Sequence, residues 1–183
     1  MRPTATAIPT ILFLAAIVAG RVVAPAMAQP VSHAGEIPQS LRVEHDDTLE
    51  QLGVLARRRG PVGVEARKAF DLFKQHLQRE EEYILPPLTL LPLLADGKVS
   101  PDMKWAIAMA DRVRAEREQI FQEHTQITDA MNALATAAQK AHDTAAFDFA
   151  RGAAADSLND IELLEPMTIV VGDYLKAKLS AAQ

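Results

Sequence analysis

Two stretches of this chain recur at a nearly constant offset. "EHDDTLEQLGVL", from Glu44, aligns with "EHTQITDAMNAL", from Glu123, which sets His124 under His45. "HLQREEEYILPPLTLL", from His76, aligns with "DSLNDIELLEPMTIVV", from Asp156, which sets Asp156 under His76 and Asp160 under Glu80. A helix pair cannot bury its apolar face alone. Two pairs repeated in one chain predict a shared core with approximate twofold symmetry.

The apolar spacing assigns the elements. From Ser40, Leu41, His45, Leu49, Leu52 and Leu55 recur at three and four, the mark of a helix, which "RRRGPVG" ends at Gly60 and Pro61. A second helix is expected from about Val64 to Leu85, with Phe70, Phe73, Leu77 and Ile84 as its apolar stripe. A third starts at "SPDMKW", with Ser100 as cap and Pro101 at the first helical position, and meets no breaker until about His142. Helices from Thr144 to Leu164 and, shorter, from Pro166 to about Leu179 complete the chain. No strand is expected. The fold class is all-α, an antiparallel four-helix bundle over residues 40–183 with an internal twofold repeat and a short C-terminal helix.

The polar residues on those apolar faces carry the chemistry. On a helix, residues four apart share a face, so His76 with Glu80, and Asp156 with Asp160, each aim two donors into one layer. His45 and His124 add one donor each from the other two helices. Burying unpaired imidazoles and carboxylates costs several kcal/mol or more per charge, which predicts that something compensates. Six nitrogen and oxygen donors suit a dinuclear metal site. The alternative is a metal-free network in which protonated histidines neutralise carboxylates. Around this core, Glu44 and Glu123 are expected at the surface or supporting the histidines from outside. Tyr83 and Tyr174 are expected to pack, Trp105 to cover the leucine-rich stretch at Leu88 to Leu94, and His33 and His142 to be exposed.

A lone histidine, then His-x-x-x-Glu on the next helix, given twice, resembles the hemerythrin-like (HHE cation-binding) domain over about residues 38–180. That resemblance implies a non-haem di-iron centre that binds or senses oxygen, peroxide or nitric oxide, or handles iron, with manganese or zinc as alternative metals. It implies metal ligands at His45, His76, Glu80, His124, Asp156 and Asp160. In the second half aspartates stand at both positions where the family has histidine and glutamate. The resulting set is rich in hard carboxylate donors, which favours oxidised iron or manganese over reversible oxygen carriage. A redox enzyme would need a substrate cavity and an electron supply that the sequence does not reveal, so a binding or sensing protein is expected more than an enzyme. A metal-free bundle that acts through protein partners is the competing reading.

The segment from Met1 to Ala28 has the layout of a secretory signal: Arg2, an apolar run from Ile11 to Ala19, and Ala26-Met27-Ala28 as a small-x-small cleavage site. A flexible lead-in, residues 29–39, follows. Cleavage would place the protein in the periplasm or outside the cell, with no membrane partner remaining. The formal net charge is −5 and there is no cysteine, which argues against nucleic acid as a partner and excludes disulfides, thiolate metal sites and a cysteine nucleophile. No serine–histidine–acid arrangement or phosphate-binding glycine loop appears.

Overall fold

Residues 33–181 are described by the computed structural model, and they are all-α. The expected secretory segment and the first part of the lead-in lie outside them. Helix α1 (Gln39–Ala56) leads through a tight turn into α2 (Pro61–Arg79). Gly60 takes a positive φ of 86° there. At Gly63 a Cβ would stand 1.9 Å from the Arg58 carbonyl oxygen, so the turn has room only for glycine. Beyond α2 the chain makes a π turn, Glu80–Ile84, then a 3₁₀ turn at Pro86–Leu90 and a short helix α3 (Leu91–Ala95).

After a 3₁₀ turn at Pro101–Lys104 comes α4 (Trp105–Lys140), 36 residues or about 54 Å long. His142, at φ 55°, turns the chain out of α4, and the Asp143 side chain caps α5 (Thr144–Asn159) by accepting from the Ala146 N–H at 3.1 Å. A second π turn, Asp160–Leu164, runs directly into α6 (Glu165–Ala181). The last helix is therefore 17 residues long and continuous with its predecessor, where the sequence predicts a separate short one.

Helix α1 packs on α2, α2 on α4, and α4 on both α5 and α6. That answers how so long a helix is accommodated, since each half of α4 has its own partners. Gly172 of α6 permits the close approach to α4; a Cβ there would lie 2.3 Å from that of Ala110.

The apolar core falls into separate clusters. One joins Leu52, Val62, Ile127, Met131 and Leu134; a second joins Tyr83, Ile84, Leu85, Val113 and Ile120. On α4, His124 sits between Ile120 and Ile127, where the first cluster ends and the second begins. A third cluster seats Leu90, Leu91 and Leu94 against Met103, Trp105 and Leu175, which covers most of the leucine-rich stretch. Trp105 also stacks on His33, ring centroids 4.0 Å apart, so His33 is half-buried where the sequence predicts an exposed histidine.

Candidate metal centre

Four of the predicted residues meet between the two main clusters. His45 from α1, His76 from α2, Glu80 from the first π turn and His124 from α4 are all buried. Glu80 spans the group. Its Oε1 lies 3.1 Å from His76 Nε2 and its Oε2 3.5 Å from His45 Nε2. The His76 and His124 rings stand edge to face, 4.2 Å between centroids. Ligand atoms of His76, Glu80 and His124 lie within 4.8 Å of one another, so this trio can hold a metal ion.

A fifth member, Glu165, is absent from the sequence expectation. It is 2 % exposed, and its Oε1 lies 3.3 Å from His124 Nε2. Counted along an ideal helix, residue 165 is turned well away from Asp160. The π turn absorbs one extra residue, and the Glu165 N–H bonds the Asp160 carbonyl, five residues back. Glu165 thereby takes the face that a residue four beyond Asp160 has in a regular helix. The carboxylate at 165 and the proline at 166, which cannot donate to the carbonyl four residues earlier, are the sequence signals that would have found it.

Asp156 and Asp160 fare differently. Asp160 lies close enough to Glu80 for the two charges to interact; burial first, then Glu80 and Glu44, pushes its carboxyl up to about 8. Asp156 is exposed. Its neighbour Ser157 is the buried residue, with Oγ 3.0 Å from His124 Nδ1. The face of α5 is thus turned by one residue from the sequence expectation, and Asp156 stands at the rim, where its charge, after burial, helps to raise the carboxyl of Glu44.

The outer ring nitrogens of His76 and His124 have partners outside the layer. His76 Nδ1 lies 3.2 Å from Glu123 Oε2, and Glu123 is itself held by Arg79 Nε at 3.3 Å and Gln119 Nε2 at 3.2 Å. Glu123 thus supports His76 from outside, as its place in the repeat suggests. Once His76 gives up its second proton, the tautomer with Nδ1–H towards Glu123, and on His124 towards Ser157, would present both Nε2 atoms inward.

His76 Nε2, His124 Nε2, Glu80 Oε2 and Glu165 Oε1 are buried and make no hydrogen bond in acceptable geometry, although the facing groups are only 3.1–3.5 Å away. Native proteins rarely leave such atoms orphaned. Their mutual approach, without the alignment of hydrogen bonds, fits a metal ion placed among them.

The electrostatics of the protein side are strongly coupled. Burial opposes charge on His76, yet Glu80 and Glu123 outweigh it and hold the imidazolium up to about 10. Burial likewise opposes charge on Glu80, but His76, His45 and His124 keep its carboxyl below the ordinary range. A cavity of about 290 Å³ lies outside the pair, lined by His76, Arg79, Gln119 and Glu123 among others. Tyr83 is in the adjoining cluster and donates to Glu116 Oε2 at 2.7 Å, with the Arg112 guanidinium 3.8 Å over its ring. Tyr174 is exposed on α6.

Comparison with protein-family models, curated proteins and solved structures finds no match to this chain. The site therefore rests on its own geometry. Among the described residues no helix is long and apolar enough to cross a membrane.

Proposed function

We propose that the chain is an exported, hemerythrin-like non-haem metal protein whose centre holds a pair of iron ions and binds or senses oxygen, peroxide or nitric oxide, or handles iron. One observation carries the reading: buried nitrogen and oxygen atoms of His76, Glu80, His124 and Glu165 face one another without hydrogen bonds, while the outer nitrogens of both histidines are engaged elsewhere. Helices α1, α2, α4 and α5, with π turns at the equivalent places Glu80–Ile84 and Asp160–Leu164, are the four helices of the proposed bundle.

In this reading His45, His76, His124, Glu80 and Glu165 hold the metal, and Asp160 stands beside Glu80 as a further carboxylate. When bound, iron supplies redox change and a coordination position for a small ligand. The protein does the rest. Glu80, with one oxygen towards His45 and the other towards His76, would offer a separate oxygen beside each histidine. Glu123 and Ser157 would orient the two rings so that Nε2 points inward. The apolar clusters on either side keep bulk water from the layer.

The test is to load the protein with ferrous iron without oxygen and add nitric oxide or peroxide while recording visible absorption. A saturable spectral change, absent from Glu80→Ala, supports the reading. Iron that binds tightly without any spectral response to either ligand would leave a metal site but remove the proposed chemistry.

A further inference from the structure

Among the described residues, half of the large apolar side chains that stand exposed lie on one stretch of helix. Leu158, Leu163, Met167, Val170 and Tyr174 are exposed by 48, 57, 36, 63 and 37 %. From Leu163 the spacing is four, three and four, the seam of a helix that packs lengthwise against another. The opposite side of α6 is occupied: Glu165, Thr168, Val171, Gly172 and Leu175 are buried against the rest of the protein. The stripe is a second apolar face on a helix whose first face is already used. Single exposed apolar residues are ordinary, whereas a continuous row of them marks a contact surface.

We infer that this face of α6 joins a second copy of the chain, antiparallel about a twofold axis, to form a dimer. The two ends of the stripe are complementary. At one end Glu162 is exposed beside Leu163 and has no cationic partner among the described residues. At the other, Lys104 and Lys178 pair with no carboxylate among the described residues, and they line, with Tyr174, Val99 and Pro101, a cavity of about 410 Å³ that contains no acid. Lys178 has only the Tyr174 ring, 5.5 Å away.

Reversing a second copy brings the apolar, acidic end of one stripe to the basic cavity of the other, twice by symmetry. In that register Leu163 faces the partner's Tyr174 and Met167 faces the partner's Val170. A parallel pairing would instead set like charges together at both ends. The proposal is independent of the metal.

Analytical ultracentrifugation of the protein from about 1 to 100 μM decides it, with a dimer expected within that range. Val170→Glu puts a carboxylate at the centre of the seam and is expected to weaken association by about tenfold or more. Its helical circular dichroism and metal content should match those of the unaltered protein. Glu162→Lys and Lys178→Glu should each weaken the dimer, and the two together should restore it, which a parallel or unspecific contact would not reproduce. A protein that is monomeric throughout the range overturns the inference. So does a dimer indifferent to Val170→Glu, or a charge pair that shows no rescue.

Discussion

Glu80 is the residue on which the site turns, because each of its oxygens faces a different histidine. Replacing it with alanine should remove most of the bound metal, whereas Asp156→Ala, at an exposed position, should leave metal content nearly unchanged; elemental analysis of the two variants compares them directly. Glu123→Gln tests support from outside the layer. It keeps the side chain's size but weakens the partner of His76 Nδ1, and a loss of roughly 10–100-fold in metal affinity is expected, read by competition with a chelator of known strength. His45, His76, Glu80 and His124 were legible in the sequence because each interrupts an apolar stripe within a regular helical stretch. Ser157 was not, since a serine beside an aspartate carries no signal until the rotation of α5 is known.

The two π turns explain why legibility failed at the scale of elements. The first begins at Glu80, after the His76–Glu80 spacing is complete, so counting in fours succeeds there. The second begins at Asp160 and lies ahead of Glu165, so counting in fours fails there. Both precede a proline, and Thr168 Oγ1 donates at 2.6 Å to the Ile84 carbonyl, which has no helical partner because Pro87 lacks an N–H and Leu88 bonds Leu85 instead. If the π turn merely absorbs an extra residue, deleting the exposed Glu162 should yield an unbroken α-helix with Glu165 still facing His124. That variant should keep its helical dichroism and most of its metal. Deleting Ala155, in regular α5, turns everything beyond it by about 100° and should abolish metal binding. Gly172 supplies a packing test: Gly172→Ala forces α4 and α6 apart at Ala110 and should cost about 1–3 kcal/mol in denaturant unfolding.

Across the whole molecule, the coupled charges make stability depend on pH in a stated direction. His76, raised from 6.5 to about 10, stabilises the metal-free fold fully below 6.5, and that contribution fades as the pH climbs through 10. Asp160, raised from 3.8 to about 8, prefers its proton in the folded state, so it penalises folding increasingly from 3.8 upward and fully above 8. Glu80, lowered from 4.5, acts oppositely: its contribution is present above 4.5 and is lost in acid. From these three groups, chelated protein should be most stable near pH 4.5, lose stability as the pH rises from there, and lose it more steeply above about 6.5. A metal held by His76 would have to displace its proton, so the gain in Tm on adding metal should grow from pH 6 to pH 8. Among the described residues, the absence of strands and the order of helices were readable from periodicity and breakers. The continuity of α5 with α6 was not, because Pro166 reads as a break where the π turn carries the helix through.

The most direct test is the metal content of protein purified without chelators, taken together with its thermal stability before and after metal removal. The account predicts tightly held transition metal approaching two ions per chain, with iron foremost. Removing it should lower Tm by roughly 5–10 °C at neutral pH, the effect of a ligand that binds only the folded state at about a hundred times its Kd. Protein that carries no metal, takes up none when it is offered, and melts at the same temperature with or without it would contradict the account. The histidines and carboxylates would then be a charge network that holds the fold alone.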